Sequence, residues 1–598
     1  MEYLVIGVVL LVFLAGKGFY DKKKYKRMVR RRLYEEFGTV SEEEYTPEKM
    51  QSLMKYYEAV KRDAYDIDDI TWNDLELDEL FMVMNRTVSA MGEEYLYAML
   101  RQPQFDETEM EERERVISFF QKDEEKRINV QEALYQIGKN RKYSVYECMN
   151  FIKDIKRESN LPHFLGIALL IGAVALAFLK PAVGVLATCV VIVYNLTSYM
   201  RRRGELDAYL SAVTYLIRLL YATEDVTKLS VPELSAYTER MKALNKHFAA
   251  FKRNFWIIGS RKPTGDIMDM LVSYIRMLFH IDLIKFNGML KIYDKHVAEL
   301  NELYQVVGYL DALCAAASFR TLLGEDGYCV PELLEKSVPE GLLAQTQSNR
   351  SGMEADTECV QGAADMPVSN ADFSGAVRTP VYEAEELYHP LLDAPVTNTI
   401  RTRRSVLLTG SNASGKSTFL KAVALNALLA QTIHTATAKS YRASYFQILS
   451  SMALRDNMQG SESYFIVEIK SLKRMFEAAK APVCTLCFVD EVLRGTNTVE
   501  RIAASREVLA GLASSGRTIC FAATHDIELT YLLEDVCENY HFEETVTEHQ
   551  VEFDYLLHEG RATSRNAIKL LRMLGYPAEV IARAEHSAEH FLESGEWQ

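Results

Sequence analysis

The sequence has no excess of basic residues. Its 68 lysines and arginines are outnumbered by 83 aspartates and glutamates, so the formal net charge is −15. This balance argues against a surface coated with positive charge for nucleic acid, although it leaves room for a local basic channel. With 48% hydrophobic and 25% charged residues, the composition is that of a globular protein and not of a disordered one. The length of 598 residues predicts about three or four domains.

A second cysteine pair is also missing. The nine cysteines are scattered, and the C-x-x-C pair Cys484 and Cys487 lies within a run of apolar residues. A zinc site of this kind needs a second pair of ligands, and none is close in the sequence. We therefore expect reduced, buried thiols of a cytosolic domain and no metal cluster.

No cleavable signal is evident at the amino terminus. Residues 3–15 are apolar, but the basic residues follow them, from Lys17 to Arg32, whereas a signal peptide carries its positive charge first. An A-x-A-like cleavage site is missing as well. This order predicts an uncleaved membrane anchor with its amino terminus outside and the remainder of the chain in the cytoplasm.

Two further apolar segments, residues 161–179 and 182–199, lie on either side of the pair Lys180-Pro181. Each has about the 20 residues needed to cross a bilayer, and basic residues lie at both outer ends. These features predict a transmembrane helical hairpin with both ends in the cytoplasm. The alternative is a buried helical hairpin in a soluble core. Together with the anchor, the hairpin predicts a multi-pass protein of the cell membrane with three spans.

The residue pattern divides the chain into regions without any internal repeat. Helical spacing dominates around the hairpin, a stretch rich in Ser, Gly and Asn follows, and short β-like runs alternate with helices from Pro380 onwards. We predict an α/β P-loop domain preceded by an all-α core or lever domain that carries the transmembrane helices. The predicted regions are an anchor (1–20), a helical region (21–160), the hairpin (161–200), a helical core or lever (201–336), a flexible linker (337–379), the α/β domain (380–550) and a C-terminal helical segment (551–598).

The α/β region contains a phosphate-binding motif. Residues 410–418 match G-x-x-x-x-G-K-S between an apolar strand and an apolar-periodic helix. The glycines let backbone N–H groups surround phosphate oxygens, while Lys416 would reach the β- and γ-phosphates and the Ser417 hydroxyl would ligate Mg²⁺. The alternative is a Gly/Ser-rich turn before a helix. The predicted nucleotide-binding residues are Gly410, Ser411, Asn412, Ala413, Ser414, Gly415, Lys416, Ser417 and Thr418.

Polar residues end two later apolar runs. Asp490 would hold Mg²⁺ directly or through water, and Glu491 would polarise the attacking water as a general base. His525 ends the next run, where a histidine can sense the γ-phosphate or orient water. The alternatives are two solvated acids at the end of a strand and a structural histidine.

A short polar segment, residues 460–463, opens an amphipathic helix. Its small side chains, Ser463 among them, could bind phosphate from a neighbouring subunit at the start of that helix.

These motifs follow one another in a specific order. The residues concerned are Tyr388-His389-Pro390, Thr409 to Thr418, Gly460, Ser463, Phe465, Glu468, Asp490-Glu491, Arg494-Gly495-Thr496, Thr498, Ala523-Thr524-His525 and Glu528-Leu529-Thr530. In this order they closely resemble the MutS family of ABC-type ATPases over roughly residues 385–590. A weaker resemblance covers residues 75–103, which look like the start of the MutS core helical domain.

The resemblance implies an enzyme that hydrolyses ATP with Mg²⁺ between the two protomers of a homodimer. It implies that hydrolysis opens and closes lever helices, and that residues after Gly560 form dimerisation elements. The implied roles are catalysis for Lys416, Glu491 and His525, Mg²⁺ binding for Ser417 and Asp490, and contact with ATP across the dimer interface for Ser463.

The sequence also departs from the family. Mismatch-reading members have a separate N-terminal domain with a Phe-x-Glu wedge, whereas residues 1–74 hold an anchor and a basic helix here. The family offers an aromatic ring to adenine just before the nucleotide-binding strand, and residues 395–398 contain none. We therefore expect an ATP-driven clamp, with DNA as its candidate partner, and not mismatch recognition itself. The alternatives are a switch that acts on membrane or envelope proteins without nucleic acid and, more weakly, a transport ATPase.

Overall fold

The computed structural model describes residues 2–62, 65–140, 143–151, 159–249, 274–281, 283–284, 292–334, 379–411, 413–452, 464–493, 496–546, 551–562 and 567–594. The chain forms two compact units, and neither is continuous in sequence. The helical unit comprises residues 1–61, 81–99 and 112–322, and the sheet unit comprises residues 62–80, 100–111 and 323–598.

Helices occupy most of the described residues before position 324. Of these, α3 belongs to the sheet unit, and α4, α5 and α6 contribute residues to both units. The helices are α1 (Glu2–Glu35), α2 (Pro47–Val60), α3 (Asp69–Asp74), α4 (Leu77–Met84), α5 (Ala90–Arg101), α6 (Glu107–Lys122), α7 (Glu124–Tyr135), α8 (Val145–Phe151), α9 (Leu161–Leu179), α10 (Pro181–Lys228), α11 (Ser235–Asn245) and α12 (Val297–Leu323), with short 3₁₀ turns at Pro232–Leu234 and Lys246–Phe248.

Helix α12 forms the core of the helical unit, because nearly every side chain along its middle is buried. Its Asp311 is fully buried and accepts hydrogen bonds from the backbone N–H groups of Val88 and Ser89 and from the Ser89 hydroxyl. A side chain at Gly92 would place its Cβ 2.1 Å from an Asp311 oxygen. Only glycine therefore lets α5 pack this closely on α12.

Helices α9 and α10 form the hairpin that the sequence predicts. Both are long and apolar enough to cross a membrane, with mean hydropathies of 2.2 and 1.7, and only 22% and 17% of their apolar windows are buried. The two helices pack closely at the turn, since a Cβ on Gly184 would lie 2.1 Å from the backbone nitrogen of Ala177. The apolar outer faces are exposed, unlike those of a buried core hairpin.

Two other apolar helices, α1 and α12, do not show the exposed apolar faces of the hairpin within the described residues. Residues 3–15 lie within α1, but their side chains are outside the described set, so the anchor stays a prediction. Helix α12 also has the length and hydropathy of a span, yet 78% of its apolar window is buried. We therefore assign α12 to the protein core. The predicted linker, residues 337–379, lies outside the described residues except for its last position.

Two sheets form the sheet unit. The smaller has the strand order β1-β5-β2-β3, and the larger has the order β10-β9-β4-β8-β7-β6, which is parallel except for β10. Strands β4, β6, β7 and β8 of the larger sheet are buried along almost their whole length, as in parallel sheets that are covered on both faces. The strands are β1 (Glu332–Leu334), β2 (Tyr382–Leu387), β3 (Asn398–Thr402), β4 (Ser405–Thr409), β5 (Ser440–Ser444), β6 (Phe446–Ser451), β7 (Cys484–Asp490), β8 (Thr518–Ala523), β9 (Cys537–Val546) and β10 (Val551–Glu559), and the helices are α13 (Lys416–Thr432), α14 (Tyr464–Ala478), α15 (Thr498–Ala513), α16 (Glu528–Leu532), α17 (Ala567–Met573) and α18 (Ala578–Ser594).

Residues from early in the chain cover the edge of the large sheet. The Ser450 hydroxyl on edge strand β6 donates to Asp74 at 2.6 Å, and the Ser450 backbone N–H donates to the Thr71 hydroxyl. The guanidinium of Arg101 stacks on the ring of Trp72 in the same segment, 4.1 Å from its centroid. Helix α3 thus satisfies polar groups of a strand that would otherwise expose them.

Candidate active site

The phosphate-binding motif forms a tight loop between the buried strand β4 and helix α13. Gly410 has φ +144° and Gly415 has φ +107°, values that residues with a side chain rarely adopt. A Cβ on Gly410 would also lie 2.9 Å from the Ser414 hydroxyl and 3.0 Å from the Phe542 carbonyl oxygen. Both glycines are therefore required by backbone geometry, which the sequence motif anticipates.

Lys416 begins α13 and its side chain folds back over the loop. Its ammonium group donates to the carbonyl oxygens of Gly410 at 2.8 Å and Ser411 at 2.7 Å. The positive charge lies where the loop and the start of a helix already favour an anion. This arrangement suits a phosphate group.

The next residue faces the first of the two predicted acids. The Ser417 hydroxyl donates to Asp490 Oδ2 at 2.5 Å. Strands β4 and β7 are separated by β8, so the carboxyl end of β7 lies close to the start of α13. A hydroxyl and a carboxylate oxygen are hard ligands of the kind that Mg²⁺ prefers, and the hydrogen bond places the two next to each other.

Glu491 and His525 lie at the carboxyl ends of the neighbouring strands β7 and β8. The His525 Nε2 atom is 3.0 Å from Glu491 Oε1, and the glutamate side chain is the more buried of the two. Glu491 has φ +56°, and its backbone N–H donates to the Ala523 carbonyl at 2.9 Å. A carboxylate held next to an imidazole in this way can accept a proton from water.

An ion pair holds the segment that follows His525. Arg501 on α15 donates two hydrogen bonds to Asp526, of 2.5 and 2.8 Å. The hydrogen bond with Asp526 raises the pKa of the Arg501 guanidinium. No sequence motif marks this pair, because its two members belong to different elements.

A pocket of about 220 Å³ opens beside the phosphate-binding loop. Glu491 and Tyr555 form the part of its wall that does not belong to the loop. The loop residues that line it are Ser411, Ala413, Gly415, Lys416, Ser417 and Thr418.

Tyr555 is a pocket residue that sequence reasoning missed. It has φ +56° and lies where the register of β10 against β9 shifts, between Phe553 and Leu557. Asn398 holds this bulge, since it donates to the Tyr555 carbonyl at 3.0 Å and accepts from the Leu557 N–H at 2.7 Å. The register shift turns the ring towards Gly415, and no residue of the strand signals that shift.

Four of the predicted nucleotide-binding residues are not among those that line the pocket. Gly410 and Ser414 belong to the loop but do not line the pocket. The buried Ser414 hydroxyl donates to the Ser411 carbonyl at 2.9 Å. Asn412 and Ser463 lie outside the described residues, as do Gly460, Arg494 and Gly495. The roles predicted for Asn412 and Ser463 stay predictions.

Comparison with known proteins shows what this region of the chain is similar to. Residues 406–592 match the family model for MutS domain V. The chain is also similar to the DNA mismatch repair protein MutS of Natronomonas pharaonis, with 28% identity over 299 residues. The alignment covers 44% of this chain and 35% of that protein, so the chain spans about a third of the length of this curated relative.

Proposed function

We propose that the sheet unit, which is similar to MutS domain V over residues 406–592, binds ATP with Mg²⁺ and hydrolyses the nucleotide. The observation that carries the proposal is one pocket bounded by Lys416, Ser417 and Glu491, with Asp490 and His525 hydrogen-bonded or ion-paired to two of them. A phosphate loop, a pair of hard oxygen ligands and a general base are the parts that this reaction requires.

Each side chain has a defined task in this proposal. Lys416 moves from the Gly410 and Ser411 carbonyls to the phosphate oxygens, and its charge stabilises the negative charge that develops there. The Ser417 hydroxyl and Asp490 would hold Mg²⁺, and the ion would neutralise charge on the phosphates. Glu491 accepts the proton of the attacking water, and His525 orients the carboxylate.

Tyr555 supplies the aromatic ring that residues 395–398 lack. Its side chain is 45% exposed in the pocket wall and lies over the start of α13. An exposed ring beside a phosphate loop is suited to stacking on a nucleotide base. We assign base contact to Tyr555.

The ATPase is proposed to act as a homodimer at a membrane. Helix α18 is amphipathic and largely exposed, which suits packing against a second protomer. The exposed apolar faces of α9 and α10 suit a lipid bilayer, and the predicted topology places the ATPase in the cytoplasm. Residues 460–463 would complete the site of the neighbouring protomer.

The proposed ATPase has two candidate binding partners, DNA and membrane proteins. The relative is a DNA mismatch repair protein, which favours a clamp on DNA without a mismatch-reading domain. The second candidate is a switch that acts on membrane proteins. Helix α10 favours this second candidate, because it runs without interruption from the apolar hairpin to the core of the helical unit.

The catalytic assignment is tested with purified protein in detergent. Glu491→Gln should bind ATP with unchanged affinity and lose at least about a hundredfold in turnover, because the general base contributes roughly that factor. Lys416→Ala should lose ATP binding itself. Glu500→Gln on the exposed face of α15 serves as the matched control and should keep wild-type turnover. Normal turnover in Glu491→Gln would show that another group activates water.

A salt series distinguishes the DNA clamp from the membrane-protein switch. ATPase rate and binding are measured with duplex, branched and mismatched DNA at increasing salt. A DNA clamp should show affinity that falls steeply with salt, since basic side chains release counterions from phosphates on binding. Absence of binding and of any rate change at low salt would leave the membrane-protein switch.

A further inference from the structure

Three potential metal ligands converge in the helical unit, far from the proposed ATPase site in sequence. His247, His296 and Glu299 each bring one ligand atom to within 4.8 Å of the other two. His247 belongs to the 3₁₀ turn Lys246–Phe248, His296 directly precedes α12, and Glu299 lies in the first turn of that helix. The fold thus joins two segments that are well separated along the chain.

The geometry of the three side chains is close to that of a metal site. His296 Nδ1 lies 3.0 Å from Glu299 Oε1, and the centroids of the two imidazole rings are 4.9 Å apart. Ligand atoms bonded at about 2.1 Å around a tetrahedral ion are roughly 3.4 Å from one another. The observed spacing of up to 4.8 Å is wider than that value, and the His247 side chain is exposed.

The surroundings favour coordination over a simple ion pair. Phe248 packs edge-on against His296, with ring centroids 5.9 Å apart, and orients that imidazole. An ionised carboxylate beside two imidazoles is a ligand set for Zn²⁺ and related ions. The His247 ring lies beside this ion pair, with its centroid 4.9 Å from that of His296, so a third potential ligand is close to the other two.

We propose that His247, His296 and Glu299 bind a divalent transition-metal ion, with Zn²⁺ as the ion best matched by two nitrogens and one carboxylate oxygen. Water completes the coordination shell, because three protein ligands leave one tetrahedral position open. The ion ties the 3₁₀ turn to the first turn of the core helix α12. The site is separate from the residues proposed to bind ATP.

The test is metal binding by the full-length protein. Protein stripped with chelator and held in excess Mg²⁺, which saturates the ATPase site, is titrated with Zn²⁺ and with Co²⁺ as a spectroscopic probe. We expect one equivalent to bind, with a tetrahedral Co²⁺ spectrum free of thiolate charge-transfer bands, and a higher melting temperature with Zn²⁺. The absence of those bands excludes the cysteines as ligands.

Single substitutions make the assignment specific. His247→Ala and His296→Ala should each weaken Zn²⁺ binding by more than the roughly tenfold cost of losing an outer-shell partner. His586→Ala changes an exposed histidine on α18 and should bind like the wild type. Because His247 is exposed, its alanine variant should melt like the wild type in chelator, which separates lost coordination from misfolding. Lys416→Ala should keep the Zn²⁺ site whether or not the ATPase proposal holds.

Two results would overturn the proposal. One is Zn²⁺ affinity that is unchanged in both histidine variants. The other is the absence of any stoichiometric binding at micromolar metal by the wild-type protein.

Discussion

Glu491 shows how the candidate site depends on single residues with unusual backbone geometry. Its φ of +56° costs energy for a residue with a side chain, and such strain is found where function requires it. This conformation follows directly after β7 and turns the carboxylate towards His525 while Asp490 remains in line with Ser417. Two adjacent acids can therefore serve two tasks, metal binding and proton transfer.

The contact assigned to Tyr555 leads to a prediction about nucleotide affinity. Tyr555→Ala should weaken ATP and GTP binding alike by roughly tenfold, because base stacking on an aromatic ring is worth that order of energy and tolerates any base. Binding of inorganic tripolyphosphate should not change. Isothermal titration calorimetry measures all three, with Tyr555→Phe as the control that keeps the ring. A similar loss of tripolyphosphate affinity would mean that Tyr555 acts on the loop and not on the base.

His389 gives the sheet unit a dependence on pH. Burial, together with the charge of Lys421, lowers the pKa of His389 to about 4, although Glu76 acts in the other direction. Its Nδ1 atom accepts a hydrogen bond from the Leu391 N–H, which requires an unprotonated nitrogen. The folded state therefore contains a neutral ring, whereas the unfolded chain takes up a proton below its ordinary pKa of about 6.5.

We predict that the free energy of unfolding of the sheet unit falls as the pH is lowered from about 6.5 to about 4. The contribution of His389 is up to about 3 kcal/mol, and it is fully present above pH 6.5. His389→Asn keeps a hydrogen-bond acceptor near the Nδ1 position and does not titrate, so its pH dependence should be flatter. Urea unfolding over this pH range compares the two proteins. Parallel curves would assign the acid sensitivity to other groups.

At the scale of elements, the hairpin depends on small residues where α9 and α10 approach each other. Gly184 lies against the backbone of Ala177, and a Cβ on Gly166 would lie 2.8 Å from Asn195 Oδ1. The Asn195 side chain donates to the Gly166 carbonyl at 3.2 Å, which satisfies a polar group between two apolar helices. Close backbone contact and interhelical hydrogen bonds are the interactions that stabilise helix pairs in lipid.

This packing predicts different outcomes for two valine substitutions in the same hairpin. Gly184→Val should destabilise the helical unit by about 1–3 kcal/mol, because the new side chain overlaps backbone atoms and forces the helices apart. Gly172→Val adds the same side chain where nothing lies within 4 Å, and it should be tolerated. Thermal unfolding in detergent, followed by circular dichroism, compares both with the wild type. Equal melting temperatures would contradict the close contact at Gly184.

Local sequence signals predicted some elements well and others not at all. The strand, loop and helix from Ser405 to Thr432 follow from residues that are adjacent in the chain, so the motif was sufficient. The bulge that turns Tyr555 into the pocket and the contact between Asp74 and Ser450 depend on pairs of distant segments. The same reason explains why residues 62–80, which the sequence grouped with the helical region, cluster with the sheet unit.

At the scale of the whole molecule, the apolar surface of α9 and α10 is the feature that needs a partner. A helix of 19 residues is about 28 Å long, close to the thickness of a bilayer's hydrocarbon core. The candidate spans within the described residues that are mostly exposed are these two. We propose that lipid covers this surface, because a bilayer matches both the length and the exposure of the two helices.

We predict that the hairpin turn and the ATPase unit lie on opposite sides of the membrane. In a variant without the exposed Cys189, a cysteine introduced by Lys180→Cys should react with an impermeant thiol reagent added outside intact cells. A cysteine introduced by Ser514→Cys, at the end of α15, should react only after the cells are opened. The protein should also stay in the membrane fraction after alkaline carbonate extraction. Labelling of both positions from one side would contradict the predicted topology.

Helix α10 runs without interruption from Pro181 to Lys228, through one arm of the hairpin and into the buried core at Leu216, Leu219 and Leu220. Forty-eight helical residues measure about 70 Å, and no proline or break divides them after the first turn. Over that distance a tilt of about 5° at one end displaces the other by about 6 Å. A small rotation of the core would therefore displace the hairpin by more than the rise of one helical turn. No break in the helix lies between the two to absorb the movement.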